Sequence, residues 1–419
     1  MPWQLLPFTF RHAISFTLRL GLIQDDLDDW RHEGSKMSQI YSGAYITIAA
    51  TASRDSSGGC FRQIPKRPVA RISYPSEDGS RLELCARRLI DGQLWNKCSL
   101  PLLRRGWTLQ ERLISQRVLH FTNNKLIWQC KTKEIREGSV KSDYMIQNGP
   151  DVGTPNMIIE AFSAGDEQML VTWRKIVEDY SSHRLSYEKD IFPALQGISK
   201  RFYEYRQTPY LAGMWESSII QDLLWISSAS KKSRPQKWRA PSWSWASCVG
   251  RVEWRLFGNF TPLATYMASE IVPAGTDEFG ELLSAKIKLK GRCLPQDMEG
   301  TWCGPIDSHD KSKGIIYPEN LDWRRPFAYC HQMLDDDLVL LDGKRPHSTP
   351  LAPGTSLKTL VLGELSLNSV NGEYQFLILR ASNIKKNTYE RLGVLILETD
   401  NSFLTPNVTF GEDETFHII

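Results

Sequence analysis

The sequence has almost no charge of either sign to spare: 51 Lys and Arg stand against 48 Asp and Glu in 419 residues, a formal net charge of +3. So small an excess leaves no electrostatic footprint for nucleic acid or an anionic membrane, and no nucleic-acid partner is expected. Eight cysteines are scattered, with no Cys-x-x-Cys pair and no Cys/His cluster at finger spacing. That excludes a finger-type structural metal site. No stretch is apolar for long enough to span a bilayer. Pro2, Pro7, Arg11 and His12 interrupt the first dozen residues, where a secretory segment would need an unbroken apolar run. A cytoplasmic chain with reduced thiols is therefore expected, and the Asn259-Phe260-Thr261 and Asn407-Val408-Thr409 sequons are chance matches. No histidine is spaced from a serine or cysteine in a way that suggests a nucleophile. Nor is there an internal repeat of fixed period.

What is present suits a large folded chain. Hydrophobic residues make up 41% and charged residues 24%, a balance that buries a core without staples. Phe10, Ala13, Ile14, Thr17 and Leu18 share one helical face, ended by Gly21. A second helix is expected from Asp28 or Asp29 to about Ser42, with Trp30, Met37, Ile40 and Tyr41 on one face. Tyr45 to Ala50 reads as a strand buried on both sides. Further strands are expected at 69–72 and 82–85, a helix from Gly106 or Thr108 to Ser115, and a hairpin of 118–121 with 126–130 turning at Asn123-Asn124. Residues 131–165 are polar and Gly-, Asn- and Ser-rich, the pattern of a long loop. Helices are expected at 169–180, 191–205 and around 211–225. After Arg239 short apolar runs (285–289, 338–341, 359–362, 375–379, 392–397) are parted by Gly, Pro and Asp, which points to an antiparallel β-rich end.

Several of these segments carry specific strings. Leu22-Ile23-Gln24-Asp25-Asp26, then Asp29-Trp30, Glu33, Met37, Ile40-Tyr41 and Ala44 resemble the middle block of fungal heterokaryon incompatibility (HET) domains. Arg105-Gly106-Trp107-Thr108-Leu109-Gln110-Glu111-Arg112, followed by Ser115, Arg117-Val118-Leu119 and Phe121, resembles the third block. Arg239-Ala240-Pro241-Ser242-Trp243-Ser244-Trp245-Ala246-Ser247 looks like the segment that follows the domain in many such proteins. The chain departs from the family in two places. The opening strand, roughly Tyr-x-x-Leu-Ser-Tyr-x-Trp-Gly, has no counterpart, and Arg19-Leu20-Gly21 runs straight into Leu22 where a second strand belongs.

The resemblance implies an α/β fold: an incomplete HET region over 1–135, similar to Toll/interleukin-1 receptor (TIR) domains, then a loop and helical middle over 136–238 and a β-rich region over 239–419. It implies fungal non-self recognition and regulated cell death through an unknown protein partner, with the effector impaired by the missing strands. Some TIR domains cleave NAD with a glutamate three residues after a Trp, and Trp30-x-x-Glu33 has that spacing. Glu33 is thus the candidate catalytic residue of an NAD glycohydrolase-like alternative, with NAD a substrate and no resident cofactor. Two bland readings compete. Glu33 also fits a cap or ion pair in a helix's first turns. Gln110 and Glu111, on a face shared with Trp107 and Ile114, fit hydrogen bonds to buried backbone left by the adjacent hairpin. Gln24 belongs to the first string, and Asp25 with Asp26 suits helix capping better than a cation, since no third oxygen ligand is suitably spaced. Trp243 and Trp245, two residues apart, would point to one side of an extended segment, either as a binding platform or as a buried pin.

Overall fold

The computed structural model describes residues 27–55, 57–61, 69–75, 80–87, 100–123, 125–137, 155–228, 234–256, 258–294, 301–302, 316–317, 327–334, 357–366, 371–382, 388–400 and 410–419. The sequence-predicted helix before Leu20, the strand near Leu338, and Gln24 and Asp25 lie outside them. Contacts divide the described chain into two compact units, residues 39–159 and residues 27–38 with 160–419. The content is mixed α/β, with helices and several sheets.

The first unit takes the end of α1 (Leu27–Gly43). Gln116 Nε2 donates to Ser42 O in the last turn of α1 at 3.2 Å, and Arg117 to Tyr45 O just beyond the helix at 3.2 Å. β1 (Thr47–Ala49) follows, then a hairpin of β2 (Val69–Pro75) and β3 (Arg81–Arg87). After α2 (Gly106–Ile114) come β4 (Arg117–Phe121), β5 (Leu126–Cys130) and β6 (Glu134–Arg136). The sheet order is β1-β4-β5-β6, with β1 parallel to β4 and the rest antiparallel. Two expectations need correction here. β1 is not buried on both sides, because Ile48 is 54% exposed while Ala49 is buried. An apolar string marks a strand but cannot say whether both its faces are covered. The 131–165 loop also contains structure: β6 forms by pairing onto β5, a tertiary effect that local polarity hides. α3 (Pro155–Ala164) starts on a proline at its first turn and buries Met157, Ile158 and Ala161.

The second unit is built on α4 (Asp166–Ser181), whose Met169, Trp173, Ile176, Val177 and Tyr180 form the expected buried stripe. The predicted 191–205 helix is shorter. Single 3-10 turns at Glu188–Ile191 and Pro193–Leu195 precede α5 (Gln196–Arg206), since Pro193 has no N–H for a continuous ladder. The predicted helix over 211–225 is replaced by a tight hairpin of β7 (Tyr210–Leu211) and β8 (Met214–Trp215), then α6 (Ile219–Asp222) and β9 (Trp225–Ser227). Ala212 and Gly213 both have positive φ, 46° and 96°, the geometry of a two-residue hairpin turn. Helical periodicity in the apolar residues was outweighed by that turn.

β10 (Val252–Trp254) pairs with β9. The β-rich end then contains β11 (Asn259–Pro262), β12 (Thr265–Pro273) and β13 (Leu282–Arg292), a short ladder of β14 (Thr301–Trp302) with β15 (Ile316–Tyr317), and β16 (Phe327–Leu334). β17 (Lys358–Ser366), β18 (Asn371–Ala381), β19 (Tyr389–Asp400) and β20 (Asp413–Ile418) complete it. Its main sheet runs β11-β17-β18-β19-β20-β13-β12, with β16 on β19, and is antiparallel except for β19–β20. The sheet curls back on itself: Leu263 and Ala264, between β11 and β12, both donate to Leu362 O, and Leu294 N donates to Thr359 O. Leu294, Leu357, Val361, Phe376, Ile378, Leu392 and Leu395 fill the interior.

The Trp243-Ser244-Trp245 segment is not extended, correcting that expectation; a 3-10 turn starts at Trp245. Both indoles are nonetheless buried, at 0% and 1% exposure, so the pin and not the platform is observed. Arg239 clasps the segment into its loop by donating to Ala246 O at 2.7 Å and Cys248 O at 2.8 Å. Gly213 O accepts two indole N–H groups, from Trp173 at 3.0 Å and Trp245 at 2.9 Å. A Cβ on Gly213 would stand 2.4 Å from Trp245 Nε1. Gly213→Ala is therefore expected to lower stability by about 2–4 kcal/mol, from left-handed backbone strain and the clash together, read as a fall in the denaturation midpoint. An unchanged midpoint would contradict this account of the turn.

Candidate functional site

Four of the residues singled out from the sequence, Tyr41, Trp107, Gln110 and Glu111, lie on or against α2. Trp107, Gln110 and Glu111 sit on this helix, and Gln110 is 1% exposed. The hydroxyl of Tyr41, near the end of α1, donates a hydrogen bond to the Glu111 carboxyl. The carboxyl is enclosed although the residue as a whole is half-buried. Burial pushes the Glu111 carboxyl above its ordinary range, opposed by the Arg105 guanidinium and the Tyr41 bond. Tyr41 is driven far up, first by burial and then by the Glu111 charge and hydrogen bond. Tyr41 therefore stays a phenol and a donor at every physiological pH. The expected partner of Glu111 needs correction: the bond is to the side chain of Tyr41, 70 residues upstream, and not to backbone of the adjacent hairpin.

On the other flank of the helix His120, which its place beside Phe121 in a strand marks as a packed or edge histidine, is packed into a polar relay that the sequence reading missed. Thr51 Oγ1 stands 2.9 Å from His120 Nδ1, and His120 Nε2 3.0 Å from Gln129 Oε1. Gln129 Nε2 donates to Glu134 at 2.7 Å, and Arg136 Nε donates to the other Glu134 oxygen at 2.5 Å. The chain of bonds fixes the tautomer. Gln129 spends its amide N–H on Glu134, so its oxygen must accept, and His120 must carry its proton on Nε2. Nδ1 then accepts from Thr51. Burial, reinforced by the nearby Arg112 charge, pushes the imidazole down to about 3. His120 is thus a neutral crosslink and no general acid or base near pH 7. The overlooked signal was a phase: β4 and β5 bury every second residue, Val118 and His120, Ile127 and Gln129. Two polar side chains in the inward phase must find each other or pay for burial.

Elsewhere, Met37 is buried, and Trp30 and Glu33 lie three residues apart on α1, though their side chains fall outside the described residues. Trp243 and Trp245 belong to the second unit and take no part in the α2 cluster. Cys130 is a further group that composition did not flag. Burial acts to raise its thiol, but hydrogen bonds with Thr132, Lys133 and Trp128 outweigh it and bring the thiol down to about 7.

Residues 19–111 match the model of a family described as heterokaryon incompatibility protein (HET). The matched stretch takes in α1, the β2–β3 hairpin and α2 as far as Glu111. No curated protein and no solved structure matches the chain. Among the described residues no helix is long and apolar enough to cross a membrane.

Two outcomes test this geometry. A histidine held at about 3 when folded and near 6.5 when unfolded keeps its full contribution above 6.5. As pH falls below that value the unfolded chain takes up a proton that the folded one refuses. Stability should then drop by up to roughly 1.4 kcal/mol per pH unit between about 6 and 3. Denaturant midpoints across that range should show a shallower slope for His120→Gln. Tyr41→Phe leaves an enclosed carboxyl without its donor and should cost about 1–2 kcal/mol at pH 7. Glu111→Gln made in that background should change stability by much less than it does alone.

Proposed function

We propose that this chain acts in fungal non-self recognition and regulated cell death, as a cytoplasmic heterokaryon-incompatibility-type protein with a weakened effector domain. The HET match over 19–111 carries this reading. The weakening is supported by the sheet of the first unit. A TIR-like, doubly wound sheet binds ligands beyond the carboxyl ends of its parallel strands. Here the described sheet contains a single parallel pair, β1 with β4, and β1 ends it. The α2 cluster supports a structural use of the third HET block: Glu111 is committed to Tyr41 and His120 to Thr51 and Gln129, so neither is presented to a substrate.

The enzyme alternative rests on Glu33, one helical turn after Trp30 on α1, acting on NAD. In the third reading, a non-catalytic interaction protein, the C-terminal region docks a partner. Expression in a fungal host is expected to give little or no cell death, and strong killing would overturn the weakened-effector reading. Purified protein is expected to leave NAD intact. Turnover that disappears in Glu33→Gln would establish the enzyme instead.

A further inference from the structure

A row of cations on β13 lies outside the HET match and outside both buried networks. The strand alternates strictly from Ala285 onward. Ala285, Ile287, Leu289 and Gly291 are buried, while Lys286, Lys288, Lys290 and Arg292 occupy the opposite face at every second position. Four cations thus stand in line over about 20 Å. β13 sits between β12 and β20, so the row runs along the interior of the sheet face. Register sets Glu270, Ala268 and Thr265 on one side of it and His417, Thr415 and Asp413 on the other.

Among the described residues, ion pairs on this face involve two of the four cations. Glu270 meets Lys286 at 2.7 Å and Asp413 meets Lys290 at 3.2 Å. Lys288 has Ala268 and His417 beside it in the register. Arg292 lies over the Phe410 ring, 5.1 Å from its centroid, which orients the guanidinium without neutralising it. Like charges on neighbouring outward positions repel, and a face that serves only to be wet is better built from both signs.

We propose that this face docks an acidic, extended segment of a partner protein, with carboxylates at every second residue. Such a segment has the same two-residue repeat as β13, so its acids fall in step with the four cations. The width of the row favours a single chain. Glu270 and Asp413 border it, and a broad polyanion such as a nucleic-acid duplex would press phosphates against both. A lone strand runs between them. The inference is independent of the effector reading, because it concerns a surface of the second unit.

The test uses the full chain and a fluorescent peptide alternating glutamate and threonine, followed by anisotropy. Saturable binding that weakens with salt is expected, with none for the glutamine–threonine peptide. Lys288→Glu combined with Arg292→Glu should weaken binding about tenfold or more, with an unchanged circular dichroism spectrum and melting temperature. Lys288→Glu alone, which leaves the Phe410 contact intact, should lose part of that affinity and keeps the test valid if the double variant misfolds. Failure of the glutamate peptide to bind, or equal binding by the folded variants, would overturn the proposal. So would tighter binding of a single-stranded oligonucleotide that the same substitutions abolish, which would make the ligand a nucleic acid.

Discussion

One carbonyl organises the second unit. Gly213 O accepts N–H bonds from Trp173 on α4 and from Trp245 in the Trp-Ser-Trp segment, so two sequence-distant indoles converge on one backbone atom. The convergence requires the left-handed turn at Ala212-Gly213, because only there does the chain reverse tightly enough to aim that carbonyl inward. It also requires a glycine, since the Trp245 ring occupies the space a Cβ would need. Ser244 Oγ donates to Ala212 O at 2.6 Å, so the other turn residue is gripped by the same segment. Trp225 Nε1 in turn donates to Trp243 O at 2.9 Å. Backbone carbonyls satisfy the indole N–H groups of Trp173, Trp225 and Trp245, whereas the buried Nε1 atoms of Trp215 and Trp243 have no acceptor among the described residues.

From this hub the β-rich end is tied in by cations and not by apolar contact alone. The Arg391 guanidinium lies 3.6 Å from the centroid of the Trp225 ring and donates to the Trp225 carbonyl. Arg234 joins Ser247 Oγ at 2.6 Å to Arg391 O at 2.9 Å. Ser242 receives a bond from Arg391 N at 2.9 Å and donates its own N–H to Ile419 O at 3.0 Å. Arginine suits this position because its planar fork serves several carbonyls at once and stacks on an aromatic face. A buried ion pair, Arg174 with Asp222 at 2.7 Å, closes the other side of the hairpin, where Asp222 also accepts from Ser218 at 2.6 Å.

Much of this was legible in the sequence, and the gaps have physical causes. The α4 stripe, the α2 helix, the β4–β5 hairpin and the antiparallel C-terminal strands all follow from periodicities that one segment decides for itself. The misses share a different origin. β6 exists because β5 offers a partner, and the 211–225 region breaks at a turn that two tryptophans and a serine lock in place. Neither cause is local. The candidate site divides in the same way. Glu111 was singled out by an acidic residue on an apolar face, whereas its donor could not be named, since Tyr41 lies 70 residues away. The His120 relay was readable only as a phase error in two adjacent strands.

The two polar assemblies of the first unit carry the same chemical consequence. A carboxyl raised by burial is the usual raw material of acid–base chemistry. At Glu111 that potential is spent, because the Tyr41 phenol, itself too basic to ionise, stays bonded to it across the working pH range. His120 is spent in the same manner, with both ring nitrogens occupied and its proton affinity suppressed. Both groups flank α2 and link its surroundings into one body: Tyr41 from the end of α1, Thr51 from just after β1, Gln129 from β5. α2 and its surroundings are thereby held together by two groups whose polar atoms are committed to named partners.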